Sequence, residues 1–163
     1  DLANTVGNLL NRTTSMSCRW FNNQTPSLSD KDNNEIMKLA NISIKNYLIY
    51  FDDYKIDKAS NEILDFAIKV NLYLNKKEPW SLIKDERNIN EVKIIIYNVL
   101  EATRIIAKLL KPLLPQFSIK ILNQLGVSDI ENKNWEESLK WGQLPESINL
   151  PKPIPIINKL DYE

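Results

Sequence analysis

Apolar residues recur at three- and four-residue intervals in five long stretches, and the breaks between them are rich in proline, asparagine, serine and glycine. In the first stretch, DLANTVGNLLNRT, residues Leu2, Val6, Leu9 and Leu10, followed by Met16, fall on one helical face. The pattern predicts a helix from Asp1 to about Trp20. FNNQTPSLS, residues 21–29, interrupts the period and reads as a connection. Ser29 or Asp30 is placed to cap a second helix with Ile36, Leu39, Ala40, Tyr47, Leu48 and Phe51 inward. After a short turn at FDDYKI, Asp57 or Ser60 is the expected cap of a third helix. Ala59, Ile63, Phe66, Ala67, Val70 and Leu74 form its inner face, the cleanest amphipathic repeat in the chain. The residue before a proline resists the α region, so this helix should stop near Lys77, ahead of Pro79.

Pro79 suits the first position of a new helix, and a short one is expected from Pro79 to Asp85. Asn88 or Asn90 then caps a long helix, Glu91 to Leu110, with Val92, Ile95, Ile96, Val99, Leu100, Thr103, Ile106 and Leu110 inward. Its apolar run at 94–96 predicts a central element covered on more than one side. Pro112 and Pro115 end it; Pro115 opens a last helix to Leu125, with Gly126 as its C-terminal stop. Beyond Val127 the period is lost. Prolines at 145, 151, 153 and 155 predict an extended tail, and Trp135, Leu139, Trp141, Leu144 and Ile148 give it apolar groups to lay along the helices. The expected fold is all-α: a bundle of about five helices over residues 1–126 and an ordered extended C-terminal tail over 127–163 packed along it.

Composition narrows the function classes. The chain has 163 residues, 43% hydrophobic and 26% charged, which suits one soluble domain. Three glycines supply no Gly-rich phosphate loop. Twenty-one basic and 21 acidic residues cancel, which argues against non-specific DNA binding through counterion release but leaves room for a local basic patch. With 17 lysines against 4 arginines and abundant Asn and Ile, the usage follows an AT-rich coding bias, so surface Lys and Asn carry little weight individually. The absence of histidine excludes His-based triads and His general bases. The single cysteine, Cys18, cannot pair within the chain and reads as a small buried or half-buried hydrophobe. No apolar run approaches the ~18 residues of a membrane span. A cytoplasmic, reducing location is expected, and the start in mid-pattern without methionine reads as a piece of a longer protein.

Four features rise above the bundle pattern. Asn8 and Arg12 sit one helical turn apart on one face. An amide and a rigid five-donor fork suit the polar edge of a base, and suit a solvated helix face equally. Trp80, fixed by Pro79, is either a plug at the rim of the core or a ring on which a base stacks. Asn71, in Asn71-Leu72-Tyr73, lies at the edge of its helix's inner face and could satisfy backbone groups at the helix end. Lys76, Lys77 and Lys84 surround Trp80 in sequence and are either solvated or phosphate contacts. Asp52, Asp53, Glu101, Glu136 and Glu137 share no metal-ligand spacing and are expected to be solvated, so no catalytic residue and no metal site is assigned.

DLANTVGNLLNRT at 1–13, VNLYLNKKEPWSLIKD at 70–85, VLEATRIIAKLLKPLLP at 99–115, ILNQLG at 121–126 and LKWGQL at 139–144 together resemble the anticodon-binding domain of methionyl-tRNA synthetases of bacterial or organellar type. The resemblance implies recognition of the CAU anticodon loop of tRNA(Met) by a module that follows a class I catalytic domain in the same chain. It implies that Asn8 and Arg12 contact the first anticodon base, a cytosine, and that Trp80 stacks on the anticodon with Pro79 as its partner in the motif. Asn75 stands where relatives often carry an acidic residue, and is included among the anticodon-binding positions. The parent would be a methionine–tRNA ligase using ATP with Mg2+. The HIGH-like and KMSKS-like signatures of its catalytic domain are absent here, so no cofactor is assigned to this part of the chain. The competing readings are the corresponding domain of another class I synthetase and a helical protein–protein module that never touches RNA. The second requires Trp80 to lie inside the core.

Overall fold

The computed structural model describes residues 1–28, 35–127 and 134–156. Among them are six α-helices: α1 (Leu2–Trp20), α2 (Glu35–Asp52), α3 (Ile56–Lys77), α4 (Pro79–Leu82), α5 (Ile89–Leu110) and α6 (Pro115–Gln124). Two 3₁₀ turns, Glu86–Asn88 and Glu137–Leu139, complete the regular structure of the described residues, with one isolated antiparallel bridge between Gln24 and Asn149. The fold is an all-α bundle. The Ser29 and Asp30 caps expected for the second helix lie outside the described residues.

The α5 helix occupies the centre and touches α1, α2, α3, α4 and α6. Every residue from Ile95 to Leu110 is buried, as a helix apolar on several faces requires. The inner face of α3 matches the sequence pattern: Ala59, Ile63, Phe66, Ala67, Val70 and Leu74 are fully buried. Of these, Ile63, Phe66, Val70 and Leu74 each contribute about 1.5–3 kcal/mol on leaving water.

Helix ends differ more from expectation than helix bodies do. Asp1 caps α1, its carboxylate accepting from the Asn4 N–H at 3.3 Å. Neither Asp57 nor Ser60 caps α3; the helix starts earlier, with Lys55 at the cap position and no side-chain bond there. Similarly, α5 begins at Ile89, and the Asn88 amide at its cap position donates to the Leu82 carbonyl instead. The helix after Pro79 is one turn, ending at Leu82 and not Asp85, because Asp85 serves as the cap of the following 3₁₀ turn.

The C-terminal end of α5 leaves four carbonyls without helical partners. The Ser118 hydroxyl donates to Ala107 O (2.6 Å), the Trp135 indole to Lys108 O (2.7 Å) and the Tyr47 hydroxyl to Leu109 O (2.7 Å), while the N–H groups of Leu113 and Leu114 reach Leu110 O. Three separate segments are thereby fastened to one helix end.

Glu101 and Arg104 correct an expectation. Glu101 is not solvated; it is completely buried, and Arg104 is 4% exposed. The arginine's Nε and Nη2 donate to the Glu101 carboxylate at 2.8 and 2.7 Å, and its remaining reach goes to the carbonyls of Ser138 and Lys140. The same carboxylate accepts from the N–H groups of Gly142, Gln143 and Leu144 at 2.8–3.1 Å. A charge pair buried in α5 therefore holds the segment 138–144, the location of the Trp-Gly dipeptide. Further on, Thr25 and Asn23 exchange backbone bonds with Ser147, Ile148 and Leu150, joining the tail to the connection after α1.

Candidate nucleic-acid interface

The α1 and α3 helices pack side by side, and their polar edges meet at Arg12. Val6, Leu9, Leu10 and Thr13 turn inward, which leaves Asn8 and Arg12 exposed on the outer face, one turn apart. Across from them Val70, Tyr73 and Leu74 fix the rotation of α3. This presents Asn71, half-buried, and Asn75, exposed, toward α1. The Arg12 guanidinium donates through Nη1 to Asn71 Oδ1 and through Nη2 to Asn75 Oδ1, both at 3.1 Å.

The chain then reverses at Glu78. This residue adopts the left-handed conformation (φ 47°, ψ 58°), and its N–H donates to Leu74 O at 3.2 Å, closing α3. Pro79 follows at the first position of α4 and is buried, where a fixed φ and a missing N–H cost nothing. The turn delivers Trp80 back beside α1. Its ring lies 5.7 Å from the Arg12 guanidinium carbon, within cation–π range. Trp80 is half-buried and leans on the core without entering it fully.

The structure therefore gathers Asn71, Asn75 and Trp80 around Arg12, with Asn8 one turn along α1 and Pro79 preceding the ring at the start of α4. Asn71 does not serve a helix-end backbone group; its oxygen faces an arginine 59 positions away. Lys77 turns from the site: its Nζ is 3.9 Å from Glu35 of α2 and 5.7 Å from the Tyr73 ring. Lys76 and Lys84 are exposed. Tyr73, beneath the site, has its phenol pushed above the usual range by burial, partly offset by the bond from the Asn98 amide, so it stays neutral. Cys18 is half-buried, and burial raises its thiol, which keeps it out of thiolate chemistry at neutral pH.

Chemically, the cluster offers a flat ring and, counting partners among the described residues, a guanidinium with three of its five N–H groups left over and an exposed amide at Asn8. Among the described residues no group of three or more His, Cys, Asp or Glu could hold a metal ion, and no helix is long and apolar enough to cross a membrane.

Known proteins share both the sequence and the shape. A family described as the anticodon binding domain of methionyl tRNA ligase matches residues 24–162. The methionine–tRNA ligase of Listeria innocua is 31% identical over 167 residues, an alignment that takes in all of this chain and 25% of that protein. The chain thus spans about a quarter of the length of the curated relatives it matches. The apo Mycobacterium tuberculosis methionyl-tRNA synthetase superposes with a TM-score of 0.82 at 25% identity, over 98% of this chain and 32% of that one. The same synthetase in complex with methionyl-adenylate gives a TM-score of 0.78 over 95% of this chain and 31% of that one, again at 25% identity. The matched family covers most of the sequence, and the chain belongs to the anticodon-binding domains of methionyl-tRNA ligases.

Proposed function

We propose that the chain reads the CAU anticodon loop of tRNA(Met) on behalf of a methionine–tRNA ligase. The observation that carries this reading is the Arg12 fork, held by two amide oxygens and set over the half-buried ring of Trp80. Unpaired loop bases expose both a face and an edge, and a protein must use the two differently. Stacking on Trp80 supplies about 1–3 kcal/mol per base whatever its identity. Selection for cytosine then falls to groups on the base edge: the remaining N–H donors of Arg12 suit its O2 and N3 acceptors, and the Asn8 amide supplies an acceptor for its exocyclic amine. Asn75 acts through Arg12, and Pro79 acts by fixing the ring.

In this proposal residues 1–126 are the anticodon-reading unit and 127–163 its C-terminal tail, of which the described residues 134–156 brace it. Attachment of methionine to tRNA, with ATP and Mg2+, belongs in this proposal to a catalytic domain of the same protein in the cytoplasm. The half-burial of Trp80 favours this reading over a protein–protein module, which calls for a tryptophan enclosed by the core.

Titration of the chain with a CAU anticodon stem-loop, and with one altered only at the first base, tests the proposal. The expected result is a preference for cytosine. Trp80→Ala should weaken both RNAs about tenfold or more, whereas Arg12→Ala should chiefly erode the preference. Equal binding of the two RNAs by the unaltered chain would sink the reading.

A further inference from the structure

Arg12 has no carboxylate partner among the described residues; both of its side-chain hydrogen bonds go to neutral amides. That choice has two physical consequences. An arginine only donates, so each amide must present its oxygen, and the two oxygens, one turn apart on α3, fix the plane of the fork. A carboxylate would fix it equally well but would cancel its charge. Two amides hold the fork still and leave the full positive charge for an incoming polyanion.

We infer that Asn71 is a positioning residue for base selection: with Asn75 it forms an uncharged clamp that aims Arg12 while leaving its charge available to the RNA. The inference rests on the anticodon reading above. Of the two clamp residues Asn71 is the anchor. It is half-buried between α1 and α3, whereas Asn75 is exposed and its bond competes with water. Asn71 itself faces the arginine and need not touch the base. Its effect on recognition passes through Arg12.

Binding of the CAU stem-loop and of its first-base variant, measured across a salt series for the unaltered chain, Asn71→Ala, Asn71→Asp, Arg12→Ala and the Arg12→Ala/Asn71→Ala pair, tests this. Asn71→Ala should lose about tenfold of the cytosine preference, and the double variant should lose no more than Arg12→Ala alone, since both remove one device. Asn71→Asp keeps an acceptor for Arg12 and adds a negative charge. It should retain the preference, bind both RNAs more weakly, and show a log K against log salt slope shallower by about 0.7. The Asp variant also decides the matter should the Ala variant prove poorly folded by circular dichroism. A full preference in Asn71→Ala, multiplying losses in the double variant, or loss of preference in Asn71→Asp at an unchanged salt slope would each overturn the inference while leaving the anticodon reading in place. An unaltered chain with no preference would remove that reading and the inference with it.

Discussion

Arg12 and Arg104 are both held by oxygen acceptors, and they do opposite work. Arg104 is 4% exposed and spends its donors on Glu101 and on the carbonyls of Ser138 and Lys140. Arg12 is exposed, has two neutral partners and keeps donors in reserve. Both members of the buried pair had to leave water, and the interior repays this only when every donor and acceptor is matched. A charge left at the surface remains available for a second molecule. The lesson is that the same fork is structural or functional according to whether its partners exhaust it.

Stability measurements can break or sharpen that contrast. The largest effect is expected for Arg104→Ala, which leaves Glu101 charged, buried and deprived of its counter-ion. The loss should be about 3–5 kcal/mol, or roughly 10 °C in Tm or more, in thermal and denaturant unfolding. If that variant melts like the unaltered chain, the buried pair is not what secures the tail.

Gly126→Ala should come next, at about 3 kcal/mol by urea unfolding. Gly126 has φ +72°, and an added Cβ would lie 2.4 Å from the Asn149 carbonyl oxygen, so tail and helix end would have to part. This variant tests the tail from its other side, without touching any charge.

Tyr47→Phe should cost about 1 kcal/mol at neutral pH, because the Leu109 carbonyl loses its donor. Burial pushes the Tyr47 phenol up to about 12 from 10.0. The folded state therefore holds a proton that the unfolded state releases, and the stabilisation is complete below pH 10 and lost between 10 and about 12. The gap between the two proteins should accordingly narrow in alkali, which a pH series of urea melts would show. Smallest of all, Arg12→Ala should change stability by only about 0.5 kcal/mol, the scale of an exposed cation–π contact. A multi-kcal/mol loss there would make Arg12 a second structural arginine and end the contrast.

The bodies of the helices were legible in the sequence because burial on α3 and α5 follows a local period. Their caps were less so. Asp57, Ser60 and Asn88 are suitable cap residues, but α3 starts ahead of the first two, and Asn88, which does hold the cap position of α5, gives its amide to the Leu82 carbonyl. Arg12 and Trp80 were visible as separate candidates. The resemblance, by assigning both to the anticodon, also required them to lie side by side, as they do. The part of Asn71 was not visible, since Arg12 meets Asn71 and Asn75 only after some sixty intervening residues fold back. Glu101 misled for the same reason: its partners at 142–144 lie about forty residues on. One local signal was available, a Glu and an Arg three apart inside an otherwise apolar run, which is where a paired and buried charge has to sit.

The end of α5 has a meaning for sequence change as well as for packing. Its four terminal carbonyls are main-chain atoms, so no substitution at 107–110 removes them as acceptors. The instruction for assembling α2, α6 and the tail is therefore written in the donors, Tyr47, Ser118 and Trp135, and not in the helix they meet on. Side chains along the last turn of α5 answer to other demands: Ala107, Leu109 and Leu110 belong to the core, and Lys108 is buried and engaged. Each donor, by contrast, is a single-copy word with few synonyms.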